Sequence, residues 1–216
     1  MFKDIYDFAG QYRNCNIRKN EPILNGETVK YVNYQDIEEY LDYDFKAEMK
    51  CKYFSMNQQE LVKHIAKFTS SIWQVHPFRE GNTRTVAVFI EKYLNSMGFH
   101  INNDMFKDKS LYFRNALVRS NYADIPNGIY PTFEYLESFF ENLLLGKDNQ
   151  LHNSDLNIQA IGEQSGEATK SEERKKFLMQ IEDENAKQQS NVIGKKLSER
   201  EQSIDLVEES VDREYI

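Results

Sequence analysis

Several things are scarce in this 216-residue chain: it has four prolines, nine glycines, two cysteines and one tryptophan. It contains no run of about 18 apolar residues of the kind needed to span a bilayer, which predicts no membrane partner. The first residues, Met1-Phe2-Lys3-Asp4-Ile5-Tyr6-Asp7, lack the basic-then-apolar order of a secretory signal, so a soluble cytoplasmic protein is expected. Cys15 and Cys51 stand outside any CxxC or Cys/His cluster, which excludes a thiol-based metal knuckle and predicts reduced thiols. Positive charge is also short. A net charge of -8 argues against a nucleic-acid surface, which needs clustered Lys and Arg to displace counterions from phosphates.

The shortages are unevenly spread. Residues 147–216 hold 10 basic and 16 acidic residues, hence most of the negative charge, and only Phe177 and Tyr215 of the aromatics; every proline precedes them. The chain therefore divides into a folded domain, residues 1–146, and a polar, acidic extension, residues 147–216. The stretch from Lys147 to Lys170 is too poor in large apolar residues to build a core and is expected to be a linker. Beyond it, Ser171–Gln189 carries Phe177, Leu178 and Ile181 on one stripe, which predicts a weak helix with a narrow apolar face.

The first 146 residues are dominated by helical spacing. Phe2, Ile5, Tyr6 and Ala9 share a face that Gly10 ends. Helices are predicted over Ile37–Lys50 and Met56–Gln74, with Ser55 as N-cap of the second. Val86, Phe89, Ile90, Tyr93, Leu94 and Met97 mark a further helix, expected at the centre of the bundle and ended at Gly98. Leu111–Tyr122 and Phe133–Leu145 complete an all-α bundle. One segment departs from this rhythm: two apolar arms flank Asn25-Gly26 in Pro22–Val32, a hairpin signature. A hairpin edge can accept an extended segment of another protein through backbone hydrogen bonds.

The densest chemistry lies in His76-Pro77-Phe78-Arg79-Glu80-Gly81-Asn82-Thr83-Arg84. Pro77 cannot continue a helix, so His76 falls at a helix end and is expected to be presented there as a base titrating near neutral pH. Gly81, Asn82 and Thr83 open the next helix, where free N–H groups and the helix dipole attract a phosphate, and Arg84 adds a guanidinium. Glu80, a hard carboxylate beside this cradle, suits Mg²⁺ that also bridges phosphate oxygens. Singly, these residues have ordinary uses as a helix-end cation, an i,i+4 ion pair and turn formers. Together they make a base, a metal ligand and an anion cradle within one loop.

This string resembles the signature of the Fic family, His-x-Phe-x-Asp/Glu-Gly-Asn-x-Arg. The resemblance extends upstream to Ile5–Arg13 and Asn16–Lys19, which look like the family's lead into its flap, with the Asn25-Gly26 hairpin standing where the flap belongs. It implies a Fic-type helical bundle over about Phe2–Leu145 with a protruding β-hairpin flap. It also implies a protein adenylyltransferase that moves AMP from ATP to a Ser, Thr or Tyr hydroxyl of a target protein. Carried over by position, His76 would be the base and Glu80 the Mg²⁺ ligand. Gly81, Asn82, Thr83 and Arg84 would bind the nucleotide, Phe78 would be a core anchor for the loop, and Ile23, Leu24, Asn25, Gly26, Thr28 and Val29 would form the target-binding flap. Two positions depart from the pattern: Thr83 replaces the usual Gly or Lys, and Ala87 stands where adenylylating members commonly place a second Arg. These departures keep open two alternatives, nucleotide-dependent phosphotransfer and a degenerate domain serving as a binding module. Many members are inhibited by a helix of pattern Ser/Thr-x-x-x-Glu-Gly/Asn; the nearest segment is Gln180–Asn185, which matches only in part. The pattern leaves room for a separate antitoxin or other regulatory partner.

Overall fold

The computed structural model describes residues 6–158. The predicted helix over Ser171–Gln189, the Gln180–Asn185 segment and the first residues of the chain lie outside this range. Six α-helices form the body: α1 (Ile37–Glu48), α2 (Gln58–Val75), α3 (Asn82–Ser96), α4 (Asp104–Asp108), α5 (Ser110–Asn121) and α6 (Glu134–Leu145). The all-α expectation holds, and the helix borders fall within a few residues of those predicted. No strand occurs among the described residues, only an isolated antiparallel bridge between Asp124 and Ile129. No helix among them is long and apolar enough to cross a membrane.

The bundle is organised around α2, rather than around α3 as the sequence suggested. α2 packs against α1, α3, α5 and α6 and buries Val62, Ile65, Ala66, Phe68, Ile72, Trp73 and Val75. Its apolar residues recur on more than one face, which is what a helix with neighbours on several sides requires. Its start is set by Asn57, whose side chain accepts the Gln59 and Glu60 N–H groups while the Glu60 carboxylate accepts the Asn57 N–H. This capping box satisfies donors at both ends of the first turn and displaces the predicted start at Ser55, which instead lies in a 3-10 turn, Tyr53–Ser55. Gly98 ends α3 as expected, with φ 93°.

Two further expectations are corrected. The hairpin flap is not formed: Pro22–Leu24 is a 3-10 turn, and Asn25 (φ 54°) and Gly26 (φ 87°) both take left-handed backbone behind it. The arms share one backbone bond near the turn, from Glu21 N–H to the Glu27 carbonyl (2.9 Å). Ile23, Leu24 and Val29, expected on a protruding edge, are buried in the main hydrophobic core, while Asn25 and Gly26 remain exposed. Burying three large aliphatic side chains outweighs the ladder bonds of an isolated two-stranded ribbon. At the other end, the body does not stop at Gly146. Leu151, Leu156 and Ile158 join the same core, and the 3-10 turn Asn153–Leu156 packs on α5. The first part of the predicted linker thus belongs to the fold.

Candidate active site

The loop between α2 and α3 is shaped by two left-handed residues. His76 closes α2 with φ 48° and ψ 56°, its N–H bonded to the Trp73 carbonyl (3.1 Å). Gly81 opens α3 with φ 79°, a conformation that glycine adopts without steric cost. For histidine the same region costs on the order of 1 kcal/mol, so the surroundings must hold it there.

Arg13 supplies that hold. It is 2% exposed, and its Nε donates to the His76 carbonyl (2.8 Å). Its Nη1 donates to the Cys15 carbonyl (2.9 Å), and its Nη2 donates to the carbonyls of Val32 and Val75. The Arg13 N–H in turn donates to the Pro77 carbonyl (2.8 Å). One guanidinium therefore collects the carbonyls left free at the end of α2, where an α-helix lacks intrahelical partners, and binds the N-terminal segment to them.

Sequence reasoning presented His76 to solvent; the fold buries it to 3% exposure. Its ring lies against Tyr31, with centroids 4.2 Å apart, and edge-on to Trp73 at 5.1 Å. Nδ1 is 3.2 Å from the Trp73 carbonyl. A carbonyl can only accept, so Nδ1 carries the proton and Nε2 is the basic nitrogen. Burial is the main cause that draws the His76 pKa down to about 3; positive Lys19 adds to it, the bond to Trp73 opposes it, and Arg13 and Arg114 contribute further lowering. His76 is thus neutral at neutral pH, not poised there as the sequence suggested.

The remaining loop residues are braced differently from the expectation. Asn82 is buried, its Oδ1 accepting the Phe78 N–H (2.9 Å) and its Nδ2 donating to the Phe78 carbonyl (2.7 Å). Both ends of this amide are committed to the loop itself, so only the Asn82 backbone N–H remains to meet an anion. Thr83 Oγ1 accepts the Trp73 indole N–H (2.9 Å), locking the α3 start to α2. Glu80 is exposed, with Oε2 3.7 Å from Lys19 Nζ. Arg79 donates to Asn14 Oδ1 (2.6 Å) and lies over Phe8, outside the loop's inner face.

These residues enclose a cavity of about 400 Å³, within the range of small-molecule sites. His76, Glu80, Gly81, Asn82, Thr83 and Arg84 all line it. Of the expected flap residues, none does. Lys19, Glu21, Tyr31 and Trp73 contribute instead, together with Ser110, Leu111 and Arg114 of α5. Sequence inspection pointed to none of the α5 residues, because they lie beyond the motif and show no pattern of their own. Glu21 is fully buried, and its Oε2 stands 2.6 Å from Arg114 Nη2. That oxygen has no aligned hydrogen bond, so the pair is held by charge.

The match to known proteins follows this geometry. Residues 1–94 match the model of the Fic/DOC family. That match takes in the whole α2–α3 loop.

Among curated relatives, the protein adenylyltransferase VbhT of Bartonella schoenbuchensis is 26% identical over 139 residues, covering 57% of this chain and 27% of the relative. The probable protein adenylyltransferase y4lH of Sinorhizobium fredii is 27% identical over 131 residues, 58% of this chain and 62% of the relative. The chain thus spans about a quarter of one of these relatives and three-fifths of the other. Solved structures that it resembles include the N-terminal FIC domain of the effector Bep8 from Bartonella sp. 1-1C (20% identity, TM-score 0.47, covering 64% of this chain and 65% of that one). BepC of Bartonella tribocorum, solved with bound AMPPNP, gives 17% identity and a TM-score of 0.48, covering 64% and 66%.

Proposed function

We propose that this chain is a protein adenylyltransferase that transfers AMP from ATP to a hydroxyl side chain of a target protein. The observation that carries the reading is the state of His76: it lines the cavity beside the Fic anion loop with Nδ1 tied to a carbonyl, so that Nε2 is the nitrogen able to take a proton. The target hydroxyl attacks the α-phosphorus, its O–H proton passing to Nε2. As the new O–P bond forms, the bond from the α-phosphorus to the bridging oxygen breaks and pyrophosphate leaves. The backbone N–H groups of the first turn of α3 and the Arg84 guanidinium would hold the phosphates in line. A ligand bearing several negative charges would raise the His76 pKa toward the working range, offsetting part of the downward pull of burial and Lys19.

Glu80 fits Mg²⁺ as an exposed hard oxygen at the cavity edge, and it would release Lys19 to do so. Glu80 would be the protein's carboxylate for the ion. Bound there, Mg²⁺ would neutralise phosphate charge. The target segment would lie near Lys19 and the Asn25-Gly26 turn, the exposed part of the expected flap.

Incubating wild-type and His76→Ala protein with α-³²P ATP, Mg²⁺ and a lysate tests the reading. Label on protein bands that disappears with His76→Ala is expected. Equal labelling by both proteins, or label obtained only from γ-³²P ATP, would overturn it.

A further inference from the structure

One cation of the cavity belongs to no motif. Arg114 sits one turn into α5, on the same face as Ser110, and both line the cavity that the Fic loop opens into. Across the motif itself, α3 contributes one guanidinium, Arg84. Ala87, the position one turn further on, is a buried methyl in the core and supplies no charge. Lys19, the third cation of the wall, is already 3.7 Å from Glu80.

Arg114 is held for use rather than buried. Its side chain is 33% exposed, while its partner Glu21 is fully enclosed. Glu21 is anchored through its backbone and one carboxylate oxygen: its carbonyl accepts the N–H groups of Leu24 and Gly26, its own N–H donates to the Glu27 carbonyl, and Tyr31 OH donates to its Oε1 (3.4 Å). A carboxylate so anchored cannot follow a ligand, but it can pin one arm of a guanidinium. Contact with Glu21 occupies Nη2 and leaves other N–H donors of the five in the fork available to an anion. The turn that replaces the expected hairpin is thus the mount for Glu21, and through it for Arg114.

We infer that Arg114 is a phosphate-contacting residue of this cavity, the second guanidinium of a site built for a nucleoside di- or triphosphate rather than a monophosphate, with Glu21 as its positioning residue. The inference rests on the nucleotide reading above. The phosphate chain would run from the α3 amides and Arg84 to Ser110 and Arg114, so Arg114 would meet phosphates beyond the one nearest the helix.

The test is calorimetry on the full chain with ATP, AMP and pyrophosphate, each with Mg²⁺. Because Arg114→Gln alone would strand a buried carboxylate, the variants are Arg114→Lys and the double change Glu21→Gln with Arg114→Gln, each checked for its thermal midpoint. The double variant is expected to bind ATP and pyrophosphate about tenfold more weakly and AMP within about twofold of wild type. Arg114→Lys, which keeps the charge and loses the fork, is expected to show the same selectivity at about threefold. Equal losses for ATP and AMP, or no loss for ATP, overturn the assignment while the adenylyltransferase reading stands. Selective loss in a protein that transfers no AMP supports Arg114 and overturns that reading. A wild type that binds neither ATP nor pyrophosphate overturns both.

Discussion

Two histidines of α2 sit about 18 Å apart along one helix and are held in opposite ways. His64, in the first half, has both ring nitrogens engaged: Nε2 is 2.7 Å from Glu48 Oε2 and Nδ1 is 3.9 Å from Cys51 Sγ. Glu48, buried, is the hub of this cluster, with the hydroxyls of Tyr53 and Tyr93 both donating to its Oε1. His76, at the helix end, has one nitrogen engaged and the other left to a cavity. The first arrangement is closed, each polar atom serving another and joining α1, α2 and α3. The second spends its bonds on backbone shape and keeps a basic atom in reserve. A buried histidine is a candidate for chemistry when its hydrogen bonds define a tautomer without exhausting it.

The largest expected effect is at His76. His76→Ala should reduce transfer by about 10²–10⁴-fold, the usual contribution of a general base, with the circular dichroism spectrum retained. Replacing the staple comes next. Arg13→Lys cannot reach several carbonyls at once, and the displacement of the His76 backbone should lower kcat by about 10²-fold with a smaller change in KM. At the closed end the pattern should reverse: Glu48→Ala should cost about 3 kcal/mol in urea unfolding while the folded fraction retains its transfer rate.

The pH dependence sharpens the comparison further. His76 has a folded pKa of about 3, below its ordinary value of 6.5. Below pH 6.5 the unfolded chain therefore binds a proton that the folded one refuses, and stability falls as pH drops. The loss attributable to this group should reach about 2 kcal/mol between pH 7.5 and pH 5, and His76→Asn should remove most of it. The smallest effect is at Asp44, half-buried on α1, whose pKa is pushed up to about 6 by burial. Its ionised form disfavours the fold above the unfolded value near 3.8. Asp44→Asn should stabilise by about 1 kcal/mol or less at pH 7, after allowance for solvent screening, and the gain should fade as pH falls from 6 to 4. Chemical denaturation at three pH values measures both.

Helical periodicity made the bundle legible, because apolar spacing over ten or more residues reports a buried stripe directly. The motif of the α2–α3 loop was legible because its residues are contiguous. What failed did so where tertiary contacts outrank local signals. Asn25-Gly26 does adopt the left-handed backbone that hairpin chemistry favours, yet the burial of Ile23, Leu24 and Val29 pulls its arms into the core. Leu151, Leu156 and Ile158 are too sparse to change the composition of the polar stretch that contains them, yet each is buried in the core. His76 was expected at the surface because proline ends a helix, a rule that says nothing of what covers the end. Arg13, Glu21 and Arg114 act through partners distant in sequence, which no local window can register.

The Arg13 bond to His76 spans 63 positions of the chain. The motif is therefore not a portable part: its nine residues grafted onto another helical hairpin would carry the letters of the site without the left-handed histidine that gives them meaning. Holding His76 in this shape takes two separate stretches of chain at once, and one change at Arg13, which does not line the cavity, would release it.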